Sequence, residues 1–148
     1  TTSGNSELDT DAYADYSDAV NAVAAFYPPT DIYGMIEFPS TIDHNSPDSN
    51  EGAFLGGLEV SDNKEKAWLA SPIAYVTHEE IPPVLLAVGT KDELVPANQS
   101  DRYALYLQAR GKEFVFYNLV GASYGSSEFF TPEMVDTVVT FFNRYRKL

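Results

Sequence analysis

Three short apolar runs, Val20–Tyr27 (VNAVAAFY), Val84–Val88 (VLLAV) and Phe114–Leu119 (FVFYNL), constrain the fold more than any other feature of this sequence. The three read as strands, and the first two, continuous apolar runs closed by turn residues, as strands buried in the sheet. Pro28-Pro29-Thr30-Asp31 closes the first, and Pro82-Pro83 and Gly89 bracket the second. After the second run, Pro96 suits the first turn of a helix. Leu105, Leu107 and Ala109 continue that helix, and Gly111 is a natural residue just past its end. After the third run, Thr131-Pro132-Glu133 starts another helix, with Thr as the cap and Pro at the first position. Met134, Val135, Val138, Val139, Phe141, Phe142 and Tyr145 then recur at helical spacing on one face. Arg144, Arg146 and Lys147 lie at its end, where positive charge suits the helix dipole. Strands alternating with helices imply parallel pairing, so the expected class is α/β, with about three parallel strands and flanking helices.

A chain of 148 residues supports one domain, here taken as residues 1–148. Residues 1–18, rich in Ser, Asn and Asp, read as a loop-like N-terminal segment. Asp9, Asp11 and Asp15 suggest calcium, but the sixth and twelfth positions counted from Asp9 hold Ala14 and Val20, where an EF-hand needs Gly and Glu. Residues 32–69 mix Gly, Pro, Ser, Asn and Asp with scattered aromatics, and read as an irregular, lid-like excursion with one short helix. Within it, Asn63–Leu69 has the character of a helical turn, ended by Ala70-Ser71-Pro72.

Charge narrows the partners. The net charge is −13, carried almost wholly by residues 1–65, with 13 acidic residues against one basic; residues 66–148 hold nine against eight. Nucleic acid and anionic membranes both need clustered Lys and Arg, so neither is an expected partner. The longest apolar runs fall far short of the ~20 residues of a membrane span, and no basic stretch followed by an apolar one opens the chain. Without cysteine there is no disulfide, thiolate metal site or thiol nucleophile. No cofactor or metal is expected.

In open parallel sheets chemistry gathers at the carboxyl ends of the strands. The loops there are Pro28–Asp31, Gly89–Pro96 (Gly-Thr-Lys-Asp-Glu-Leu-Val-Pro) and Val120–Phe129. Four segments in order resemble the C-terminal half of a bacterial α/β-hydrolase esterase or lipase of the feruloyl- or acetyl-esterase type. They are Val20–Asp31 (VNAVAAFYPPTD), the segment from Ser46 to Val76 (SPDS, LGG and ASPIAYV), Pro82–Ser100 (PPVLLAVGTKDELVPANQS) and Gly121–Asp136 (GASYGSSEFFTPEMVD). The resemblance implies a partial α/β-hydrolase fold and carboxylic-ester hydrolysis by a Ser–acid–His triad. It places the acid at Asp92 and the histidine at Tyr124, where the family's Gly-His-Gly reads Ser-Tyr-Gly. It places the nucleophile's Gly-x-Ser-x-Gly elbow ahead of Thr1, outside the 148 residues.

A phenol, with an ordinary pKa near ~10, is a poor base for serine at neutral pH. His44 and His78 both precede the acid strand, out of order for a triad, and read as exposed loop histidines; Asp43-His44 and His78-Glu79-Glu80 lack the ligand spacing of a zinc site. Ser123, Ser126 and Ser127 flank Tyr124 without standing at a strand-to-helix elbow. The expectation is a fragment or degenerate member of the esterase family, inactive as this chain. The alternatives are a non-catalytic binding domain that uses the old cleft, with a small ester or carbohydrate-ester ligand, and one half of a two-chain esterase. The strand Val20–Tyr27 would lack its usual neighbour, and an open strand edge invites pairing. A homodimer or a complementing chain along it is therefore expected.

Overall fold

The computed structural model describes residues 15–17, 19–78 and 81–146. The loop expected over residues 1–18 lies mostly outside these, as do Asp9 and Asp11 of the calcium reading and Glu79-Glu80.

Among the described residues three parallel strands form one sheet in the order β1-β2-β3. They are β1 (Val23–Phe26), β2 (Val84–Gly89) and β3 (Phe114–Leu119). The register runs from Val23 opposite Val84 to Phe26 opposite Ala87, and from Val84 opposite Phe114 to Gly89 opposite Leu119. The central strand is buried at every residue. β1 and β3, each paired on one side only, are half-buried along most of their length. Burial on both faces therefore holds for β2 and not for β1, which is also shorter than its apolar run.

Side chains alternate across β2 and divide the core in two. Val84 and Leu86 pack with Tyr103, Ala104 and Leu107 of the helix α3 (Asn98–Ala109). Leu85 and Ala87 face the other way, against Ala122, Phe129 and Phe141, the last from the helix α4 (Pro132–Tyr145). The sheet is thus flanked by a helix on each face, a partial α/β-hydrolase fold. The ends of the helices follow their sequence signals. Gly111 takes φ +63° just beyond α3, a conformation that suits glycine. The Thr131 hydroxyl accepts the Met134 amide at 3.2 Å to cap α4. The apolar face of α4 is broader than the sheet can cover. Met134 and Phe141 are buried, whereas Val135 and Val139 stay 50% exposed.

The excursion is more ordered than its composition suggests. It holds a 3-10 turn (Tyr33–Glu37) and two short helices, α1 (Asn50–Phe54) and α2 (Lys64–Leu69), where one had been expected. Ile32, Leu55, Val60 and Ala67 give it a small core of its own. No helix among the described residues is long and apolar enough to cross a membrane.

Candidate active site

The loops that follow β2 and β3 are laced together at the carboxyl end of the sheet. A Cβ on Gly89 would lie 2.2 Å from the Ala122 carbonyl oxygen, so glycine alone lets the two chains approach this closely. Thr90 N–H donates to the Leu119 carbonyl at 3.1 Å and Lys91 N–H to the Ala122 carbonyl at 2.9 Å. In return Gly121 N–H donates to the Thr90 hydroxyl at 2.8 Å.

Asp92 leaves this junction three residues beyond β2. One carboxylate oxygen, Oδ1, accepts the backbone N–H groups of Leu94 at 3.0 Å and Val95 at 2.9 Å. The other, Oδ2, is buried and has no hydrogen-bond partner among the described residues. Burial raises the carboxyl's pKa above its ordinary value, against the pull of the Val95 and Leu94 amides, which lower it. The side chain is oriented at one oxygen and uncommitted at the other. A triad acid needs one oxygen fixed and the other available to an imidazole.

Tyr124 lies 43% exposed in the turn after β3. Its ring packs on Tyr27, with centroids 4.3 Å apart, and Tyr27 in turn meets Phe129 edge-on at 4.9 Å. Tyr27 follows directly on β1 and takes φ +43°, the one non-glycine residue in the left-handed region among those described. Such a backbone costs on the order of 1–3 kcal/mol and persists only when its surroundings hold it. Here Tyr27 N–H donates to the Ala87 carbonyl at 2.7 Å, and the ring sits between two others. Sequence reasoning missed Tyr27, since a residue before proline is ordinarily extended.

The Gly-x-Ser-x-Gly pattern, expected only ahead of Thr1, is in fact spelled by Gly121-Ala122-Ser123-Tyr124-Gly125. The spelling is not an elbow. Ser123 has no positive φ, its N–H donates to the Ser126 hydroxyl at 3.1 Å, and a 3-10 turn (Ser127–Phe130) follows where a helix is required.

His44 contradicts the expectation of an exposed loop histidine: it is 5% exposed. Nδ1 lies 2.9 Å from Glu51 Oε2, and Nε2 lies 2.9 Å from Ser40 Oγ and 3.0 Å from the Leu94 carbonyl oxygen. His78 is half-buried, and its ring stands 5.6 Å from that of Tyr75. No group of three potential metal ligands occurs among the described residues.

A second buried network sets the loop after β1. Gln99, on α3, accepts the N–H groups of Thr30 at 3.0 Å and Asp31 at 2.8 Å through Oε1. The Thr30 hydroxyl donates to the Gln99 carbonyl at 2.7 Å, and Arg102 pairs with Asp31 at 2.9 Å.

The BD-FAE family model matches residues 1–107, a stretch that includes Asp92 and ends before Tyr124. Among solved structures, a truncated form of a carbohydrate esterase from gut microbiota superimposes with a TM-score of 0.78 at 22% identity, over 88% of this chain and 44% of its own. A bifunctional GH43-CE protein of Bacteroides eggerthii gives 0.74 at 26% identity, over 91% of this chain and 18% of its own. An acetyl ester-xyloside bifunctional hydrolase from Caldicellulosiruptor lactoaceticus gives 0.69 at 18% identity, over 93% and 47%. The chain thus spans less than half the length of these three. A search of curated proteins finds no match.

Proposed function

This chain belongs to the BD-FAE family, and on that premise we propose that it is the acid-bearing half of a carboxylic-ester hydrolase, inactive by itself. Asp92 stands at the acid's place and Tyr124 at the base's. The observation that carries this reading is the Asp92 carboxylate, held by two amides at Oδ1 and left buried and unpartnered at Oδ2. That arrangement suits an acid awaiting an imidazole, while the ring on the opposing loop is a phenol engaged with Tyr27. Three partly overlapping elements of ester hydrolysis are needed: a nucleophile, a base to activate it and donors for the oxyanion. The acid alone supplies none of them.

One similar structure described as a carbohydrate esterase and one described as an acetyl ester-xyloside hydrolase support a carbohydrate ester as the substrate class of the complete fold. Residues 32–69, with their own small core, act in this reading as a lid over the cleft. The half-exposed ring of Tyr124, tilted against that of Tyr27, favours a second reading: a non-catalytic domain that binds such a ligand in the old cleft. Among the described residues β1 is paired on one side only, which supports a homodimer or a complementing chain as the way the sheet is completed.

The test is release of p-nitrophenol from its acetate and butyrate esters by the purified chain, beside Asp92→Asn. Rates at background for both proteins are expected. Saturable turnover abolished in Asp92→Asn would overturn the proposal.

A further inference from the structure

We propose that His44 is a positioning residue, which clamps the excursion onto the loop after β2 and so holds Asp92 in place. This deepens the reading of Asp92 given above and rests on it only for its catalytic meaning.

The link runs through one residue. Leu94 donates its N–H to Asp92 Oδ1 at 3.0 Å, and its carbonyl oxygen lies 3.0 Å from His44 Nε2. A carbonyl can only accept, so Nε2 meets it as an N–H donor. On the other side of the ring Nδ1 lies 2.9 Å from the buried Glu51 Oε2, anchored on α1. One proton shared between Nδ1 and the carboxyl closes that contact, whichever atom carries it. Neighbours reinforce the seam: Thr41 N–H donates to the Glu93 carbonyl at 2.8 Å, and the Ser40 hydroxyl faces the Glu93 and Leu94 carbonyls at 3.0 and 3.1 Å.

Ser40, His44 and Glu51 have the connectivity of a serine–histidine–acid relay, but their surroundings oppose that role. Nε2–H is directed at Leu94, and the Ser40 hydroxyl has two carbonyls as acceptors. With Nε2–H given to Leu94, the imidazole has no lone pair to take the serine proton, and the trio holds structure rather than attacking an ester. Its site of action is Asp92, one hydrogen bond beyond Leu94.

The experiment compares His44→Leu and His44→Gln with the parent chain, using isotopically labelled protein and two NMR readouts. The first is hydrogen exchange at the Leu94 and Val95 amides relative to Leu85 and Leu86 in β2. The second is titration of the Asp92 carboxyl carbon. In His44→Leu the two loop amides should exchange about tenfold faster, the scale of one net hydrogen bond. Asp92 should also titrate at lower pH, because its burial outweighs the two amides and a loosened loop admits water to the carboxyl. His44→Gln, whose amide can donate to the same carbonyl, should restore both in large part. Unchanged loop exchange and unchanged Asp92 titration in folded His44→Leu would overturn the proposal, as would a Gln variant no better than Leu. If His44→Leu does not fold, Glu51→Ala, which removes the ring's anchor, is read in the same way: a several-fold acceleration is expected, and none overturns the clamp. Neither readout needs activity, so turnover in the ester assay would sink the inactive-half reading and leave the clamp standing.

Discussion

The ring of Tyr124 lies against that of Tyr27 with centroids 4.3 Å apart, so the turn after β3 is tied to the end of β1 across the carboxyl edge of the sheet. This contact spans β2, the central strand of the sheet. It also accounts for the tolerance of φ +43° at Tyr27, whose backbone strain is offset by contacts that its own ring and amide make.

Tyr124→Ala should therefore cost about 1 kcal/mol, the scale of an aromatic pair beyond simple burial. Urea unfolding would read this as a lower midpoint at unchanged slope. A loss below a few tenths would show that the ring pair contributes little to holding the two turns together.

Gln99→Ala should be far more damaging. It leaves the Thr30 and Asp31 N–H groups buried without their shared acceptor. Two orphaned donors cost about 2–6 kcal/mol together, whereas Gln108→Ala, on the exposed side of α3, should stay within about 0.5 kcal/mol. Thermal unfolding of the two variants side by side distinguishes them.

What could be read from sequence was local. Phe114–Leu119 is a strand at the predicted residues because turn formers close both ends, and α4 begins at Pro132 because Thr131 and Pro132 carry their own capping chemistry. The turn at Asp92 was legible for the same reason: it follows a buried strand, and its hydrogen bonds reach only two and three residues on. His44 was not legible. Its partners are Glu51, seven residues away, and Leu94, fifty away, and no local pattern announces a meeting at that distance. Helical spacing placed Val135, Val139 and Phe142 with Met134 and Phe141, but spacing cannot say which part of a broad apolar face the sheet will cover.

Asp92→Asn should stabilise the chain near neutral pH. Burial raises the folded carboxyl's pKa, so its contribution to stability is fully present below the unfolded value, ~3.9, and is lost as pH rises through the folded value. Asparagine keeps an oxygen for the Leu94 and Val95 amides and carries no charge to desolvate. The variant's advantage should be absent near pH 3 and reach about 1–2 °C at pH 7, small because solvent screens a half-buried carboxyl. An advantage that shrinks as pH rises would reverse the sign of this argument.

The open side of β1 should be covered in solution. Val23–Phe26 pair with β2 and, among the described residues, with no strand on the other side. An unpaired row of backbone donors and acceptors recruits another strand. Light scattering after gel filtration should give a mass above 16.3 kDa, and Ala24→Pro, which places proline in β1, should weaken the association. A monomer at all concentrations, with slow exchange at β1, would exclude pairing along this edge.

Tyr124→His should not create an esterase. The substitution puts an imidazole on the loop after β3, whose backbone is hydrogen-bonded to the loop that carries Asp92, and in the reading proposed above its Nδ1–H would meet Oδ2. An oriented base without a nucleophile has nothing to activate, and Ser123 is no substitute, lacking the strained elbow that exposes a catalytic hydroxyl. In serine hydrolases the loss of the serine alone removes nearly all of the triad's contribution, so restoring the histidine in its absence recovers little. Release of p-nitrophenol by Tyr124→His should match background. Adding a second chain that supplies an elbow serine and the oxyanion donors should raise the rate for Tyr124→His and not for the parent, and adding Asp92→Asn to Tyr124→His should abolish that gain. Equal rates for the parent and Tyr124→His in that mixture would show that position 124 is not where the base belongs.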